Sequence, residues 1–246
     1  EASSSDDGVV TGGSGVGGVL RTGVVYEVTS KYVRRELRKL TKDDRELFFD
    51  ALHTIYRVGQ EVGVQLYGSK YRSIEVLVAE HLRGAASKEC DHWHDDAGIL
   101  THHMGFTLEL EQSLQAVSSS VAMPYWDYTA DSYFLGKRWP ESQIFQEEWF
   151  GPASPARADH VVDQGRWAFT PIKRVSDGSA AISNEIRNPY GLLRSPWNTN
   201  PVPYLSRHRN VLGVEDAGFT IPSCSEFKRA FKYNWLGQIL SELNGL

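Results

Sequence analysis

Several stretches of this chain repeat apolar residues at the spacing of a helix, and two of them put a histidine on the apolar stripe itself. From Ser73, Ile74, Leu77, Val78, His81 and Leu82 fall at i, i+3, i+4, i+7 and i+8. In THHMGFTLELEQSLQAV, His103, Phe106, Leu110, Leu114 and Val117 share one face. A stripe of this kind has to be buried against another element, so His81 and His103 are expected to point inward, His103 from the first turn of its helix. Between these helices lies KECDHWHDDAG, a polar, turn-prone loop carrying His94.

Two further helices are predicted. Thr41 opens TKDD in the manner of a capping box, and Leu47, Phe48, Ala51, Leu52 and Ile55 follow at helical spacing. Near the end, Ser225 starts a stripe of Phe227, Ala230, Phe231, Trp235, Ile239, Leu240 and Leu243, closed by Asn244 and Gly245. PYWDYT, from Pro124, reads as an aromatic-rich extended segment. From about 130 to 222 the periodicity fades, and Pro152, Pro155, Pro171, Pro189, Pro196, Pro201 and Pro203 favour long ordered loops. Residues 1–18 combine Ser, Asp and Gly with little to bury and are expected to form a flexible tail, with a possible strand at VVYEV. The expected fold is therefore mainly α, a tail followed by one domain over 19–246, which a hydrophobic content of 41% can fill.

Charge narrows the partners. With 26 basic against 31 acidic residues the net charge is −5, without a basic run, so neither nucleic acid nor an anionic membrane is expected. No apolar run is long enough to span a bilayer, and the chain, opening at Glu1 without a charged-then-apolar leader, is expected to be soluble and already processed. Cys90 and Cys224 are the two cysteines. They form either one disulfide, contributing about 5 kcal/mol by chain entropy and suiting a secreted or luminal compartment, or two unpaired buried thiols.

Three neutral imidazoles from two helices and a loop suit copper, zinc, iron or nickel, and no carboxylate pattern nearby points to calcium or magnesium. The other histidines fit ordinary roles: His53 as a packed or capping residue, His160 and His208 as loop hydrogen-bonders, and His92, facing away from His94 in an extended loop, as a non-ligand.

The run HWHDDAGILTHHMGFTLELEQSLQAVSSSVAMPYWDYT resembles the first copper-binding region of the tyrosinase family, the type-3 copper proteins that include catechol oxidases and molluscan haemocyanins. The resemblance rests on a histidine ending a helix (His81, in VAEH), one in a loop (His94), and a third nine residues later with a downstream glutamate (Glu111) and a PYWD segment (Pro124 to Asp127). RNPYGLLRSPWNTNPVPY also resembles a connecting segment of some members. The implied fold is the family's antiparallel helical bundle with long irregular loops. The implied metal set is one copper on His81, His94 and His103, with Glu111 and His102 as supporting residues: Glu111 a buried acceptor orienting an imidazole or a backbone amide, His102 a packing neighbour. The implied activity is oxidation of phenols or o-diphenols to o-quinones with O₂.

The chain also departs from the pattern. His102 stands where an aromatic often precedes the third histidine, and Met104 where a basic residue often comes next. Some members join a cysteine two residues before the middle histidine to it through a thioether, but that position is His92 here, which favours a Cys90–Cys224 disulfide over such a crosslink. The family's second copper site, a helix with H-x-x-x-H and a further histidine, has no counterpart in this sequence. The resemblance then implies the amino-terminal portion of a longer or cleaved protein, whose carboxy-terminal half, or a second chain, supplies the second copper. A structural or assembly component without a complete dicopper site, and a haemocyanin-like oxygen binder, stand as alternatives.

Overall fold

Helix α1, Lys42–Arg57, starts because Thr41 accepts the Asp44 backbone N–H on its hydroxyl at 3.1 Å and Asp43 and Asp44 place negative charge in the first turn. A cap of this kind contributes about 1 kcal/mol. Burying one large apolar side chain contributes about 1.5–3 kcal/mol, so packing rather than capping decides how α1 is rotated about its axis. The rotation differs from the stripe predicted by periodicity: Phe49 is fully buried while Leu47 is 42% exposed. Phe49 meets Phe150 edge-on at 5.0 Å and Trp149 at 6.4 Å, partners from a distant, irregular part of the chain.

In this computed structural model the described residues are 32–85, 91–94, 97–171, 204–207 and 220–244; the possible strand at VVYEV, the tail and RNPYGLLRSPWNTNPVPY lie outside them. Tyr32–Leu246 form one unit by their contacts. The architecture is mainly helical, as expected, and among the described residues β structure is limited to isolated bridges such as Glu36 with Tyr125. None of the described helices is long and apolar enough to cross a membrane.

Periodicity does not predict the short helix α2, Gln60–Tyr67, yet it positions the entry of α3, Ile74–Ala85. The Gln60 side chain donates to the Tyr71 carbonyl at 3.1 Å and accepts the Ser73 amide at 2.8 Å, tying the two helices together. The buried Ser113 hydroxyl accepts from the Arg72 amide at 2.9 Å and donates to the Arg72 carbonyl at 2.8 Å. Ser113 belongs to α4, Gly98–Val117, so this pair pins the start of α3 against the far part of α4. Helices α1, α3 and α4 pack on one another around Ile55, Leu77 and Leu114. Helix α4 begins a turn earlier than its apolar stripe predicts, which places His103 in its second turn.

The PYWD segment is extended as expected and lies beside residues 35–37: the Leu37 amide donates to the Tyr125 carbonyl at 2.9 Å and the Tyr125 amide to the Arg35 carbonyl at 3.0 Å. It passes directly into α5, Tyr128–Leu135, a helix where the sequence predicts loop. What organises that junction is long-range: Asp131 accepts from Trp126 Nε1 and from Arg38, each at 2.6 Å. The irregular region, where described, adds Ile144, Trp149, Val162 and Trp167 to the same hydrophobic core as Phe49, Ile55, Leu77 and Leu114.

The last stripe is split. Helix α6 runs Cys224–Ala230 behind a capping box in which Ser223 and Glu226 satisfy each other's backbone amides, and α7 runs Leu236–Asn244. Periodicity continues across the break, but Phe231 and Trp235 are exposed and gain no burial from a continuous helix.

Candidate metal centre

Each histidine of the trio is delivered by a different device. His81 and His103 are carried by α3 and α4, helices held together around Leu77 and Leu114. His94 depends on a four-residue turn: Asp91 Oδ1 accepts the Trp93 amide at 3.1 Å and the His94 amide at 3.0 Å, and the His94 amide also reaches the Asp91 carbonyl at 3.2 Å. Trp93, 9% exposed, anchors the turn by packing edge-on to His81 and His103 and against Phe106 at centroid distances of 5.1–5.5 Å. The indole fits because residue 84 is glycine: a Cβ there would lie 1.4 Å from Trp93 Nε1. Gly98 is required in the same way at the start of α4, where a Cβ would lie 2.1 Å from the His92 carbonyl oxygen.

The result is convergence. One ring nitrogen from each of His81, His94 and His103 lies within 4.8 Å of the other two, and the ring centroids are 5.1, 5.5 and 5.1 Å apart. Among the described residues these are the His, Cys, Asp and Glu side chains grouped closely enough to hold an ion. Burial is the main reason the His81 imidazole is held below its ordinary value, reinforced by the neighbouring His94 and His103 and opposed by Asp91. That favours the neutral ring a metal needs. Burial raises the Asp91 carboxyl, but hydrogen bonds from the His94 ring and the amides of His94 and Trp93 outweigh it and hold Asp91 below the usual carboxylate value. The buried His103 Nδ1 has no hydrogen-bond partner within the protein.

His102 is turned away from the trio. Its ring stacks on Trp93 at 5.5 Å, and its Nδ1 is 3.3 Å from the Gly98 carbonyl. Glu111 sits eight residues below His103, about 12 Å along the helix. It accepts from Arg34 at 2.6 Å and from the Met123 amide at 2.9 Å. Of the two roles expected for Glu111, the structure shows the backbone amide and not an imidazole, so this carboxylate braces α4 against residues 34 and 123.

The Arg34 hydrogen bond is the first cause that lowers the Glu111 carboxyl below its ordinary value of 4.5, with burial opposing it and the Met123 amide assisting. A carboxyl lowered by folding binds more protons in the unfolded chain, so its contribution to stability is present above about pH 4.5 and lost as the pH falls through the folded value. Glu111→Gln is expected to cost about 1–2 kcal/mol at neutral pH, with Arg34 partly in solvent, and the difference from the parent should vanish in acid. Urea unfolding at several pH values checks this; a pH-independent difference would count against the assignment.

His53 is a packed residue as expected, accepting from Arg57 Nε at 3.1 Å and lying edge-on to Trp167 at 5.5 Å. His160 contacts the Pro155 carbonyl at 3.1 Å, in keeping with a loop hydrogen-bonder, and His92 is exposed. His208 and Cys90 lie outside the described residues. Cys224 is an exposed free thiol at the first position of α6, so the disulfide expected with Cys90 is not seen. Sequence reasoning missed Asp91, Trp93 and Gly84. The D-x-x-H spacing of Asp91 and His94 was the available signal, since an aspartate closes such a turn onto the amides two and three residues on.

The family model for the common central domain of tyrosinase matches residues 69–212, more than half of the chain and all three converging histidines. The chain belongs to the tyrosinase family. Among curated relatives, the tyrosinase of Streptomyces antibioticus is 28% identical over 131 residues, covering 53% of this chain and 42% of that protein. The tyrosinase of Streptomyces lincolnensis is 28% identical over 144 residues, 56% of this chain and 46% of that protein, and grixazone synthase of Streptomyces griseus is 30% identical over 101 residues, 41% and 30%. The chain thus spans less than half the length of these relatives. The tyrosinase family uses copper, and the donor set of this member, three convergent imidazoles with a carboxylate behind one of them, fits that metal.

Proposed function

We propose that this chain supplies the first copper site of a type-3 copper oxidase that converts phenols or o-diphenols to o-quinones with O₂, the second copper coming from polypeptide beyond this span or from a second chain. The convergence of His81, His94 and His103 on one point is the observation that carries the reading. Copper held by His81, His94 and His103 would supply a redox-active Lewis acid, and the paired-electron chemistry of O₂ would need a second ion beside it.

The protein's own part is binding and shaping. His81 and His103 present ring nitrogens from α3 and α4, helices whose relative position is set in part by Ser113 far from the centre. His94 is swung in by its turn. Trp93 and Phe106 wall the trio with aromatic surface, which limits water around the ligands and strengthens electrostatic interactions there. His160 and His208 are the histidines that come after the trio, and neither has a histidine four residues away, so a dinuclear centre needs ligands from elsewhere.

The chain is expected to bind one copper and, by itself, to leave a catechol unoxidised; together with polypeptide carrying a second three-histidine set, it should turn the catechol over. Elemental analysis and quinone absorbance measure the two parts. No copper on the chain, or turnover by the chain alone, would overturn the reading. Reversible oxygenation of the assembled protein without turnover would replace the oxidase by an oxygen carrier.

A further inference from the structure

We propose that Asp91 is a positioning residue whose carboxylate fixes both the orientation and the proton of the His94 ring; its significance for metal binding rests on the proposed copper site. Asp91 uses its two oxygens for different tasks. Oδ1 accepts the amides of Trp93 and His94 and so shapes the turn, while Oδ2 lies 2.6 Å from His94 Nδ1. An ionised carboxylate can only accept, so the short contact puts the ring proton on Nδ1 and leaves Nε2 with an open lone pair.

The need for such a device differs among the three histidines. The backbones of His81 and His103 are held by α3 and α4, and the His103 ring is set by packing against Trp93, its buried Nδ1 having no hydrogen-bond partner. His94 stands on a turn rather than a helix, with its side chain about one-third exposed, so its backbone is held by less than those of His81 and His103. A ligand on such a segment loses rotamer and tautomer freedom on binding, and that loss weakens the site unless it is met beforehand. One aspartate meets it three ways: it closes the turn, points the ring and selects the tautomer. The same hydrogen bond makes Nε2 a stronger donor.

Asp91→Asn separates these tasks. The asparagine oxygen still accepts both amides and keeps the turn, but an NH₂ group now faces His94 Nδ1, so the neutral ring moves its proton to Nε2. In the full chain without metal, at about pH 8, ¹⁵N chemical shifts of the His94 ring should report the Nδ1–H form in the parent and the Nε2–H form in D91N. Copper affinity, measured by competition with a chelator, should fall about 10–100-fold, while circular dichroism and the thermal midpoint stay near those of the parent.

An Nε2–H tautomer at His94 in the parent overturns the proposal, and this holds even if D91N fails to fold. D91N binding copper within about twofold of a copper-binding parent overturns it as well. A parent that binds no copper but shows the Nδ1–H form sinks the copper reading instead and leaves Asp91 as the residue that sets the ring.

Discussion

Alanine at His94 should strip copper from the chain and leave its fold in place. Losing the hydrogen-bond partner of a metal-bound histidine already costs about 10–100-fold in affinity, so losing the histidine itself must cost more than about 100-fold. Stability should hardly move, because His94 is about one-third exposed and lies on a turn whose shape comes from the Asp91 carboxylate and the Trp93 anchor, both retained. A change within about 1 kcal/mol is expected for such a position. Metal content after dialysis and unfolding without metal test the two halves of this claim. One copper retained by H94A would show that His94 is not a ligand.

Gly84→Ala should be the most damaging single-methyl change in this part of the molecule. Two effects oppose each other. Alanine is favoured over glycine by up to about 1 kcal/mol in a helix, less at Gly84, which is next to the last residue of α3, and this would stabilise the helix slightly. Against this, the new Cβ would lie 1.4 Å from Trp93 Nε1 and 1.7 Å from its Cδ1, and the ring has no free direction because His81, His102, His103 and Phe106 surround it. Displacing a buried tryptophan resembles deleting one, a loss of about 3–5 kcal/mol, so the net destabilisation is about 2–4 kcal/mol. The turn moves with its anchor and takes His94 with it, so copper affinity falls too. In a Trp93→Ala background the clash is gone and G84A should become neutral or stabilising. Denaturant unfolding of the four proteins measures this coupling; additive effects would mean that the close approach has no energetic weight.

These expectations depend on contacts that were legible in the sequence to different degrees. The helices bearing His81 and His103 could be read because amphipathic periodicity is local: each stripe reports its own burial. The family match, over residues 69–212, includes both helices. Helix α5 and the short α2 were hidden because what holds them comes from elsewhere, Arg38 reaching Asp131 and Gln60 reaching Tyr71 and Ser73. Glu111 was legible as a buried acceptor, but its partners, Arg34 and Met123, are 77 and 12 residues away and nothing local names them.

Sequence alone determined that the chain is mainly helical, that two histidines lie on apolar helical stripes with a third on the loop between, and that the set suits a transition metal. Those properties come from side-chain chemistry and from a period of 3.6 residues, which need no knowledge of the rest of the molecule. The tertiary structure decided the rest: that the three rings meet, that Phe49 rather than Leu47 is buried, that the last stripe breaks into α6 and α7, and that Asp91, Trp93 and Gly84 hold the loop. Each of these depends on which surfaces meet across the fold, and such meetings are set by packing among distant segments rather than by the pattern within any one of them.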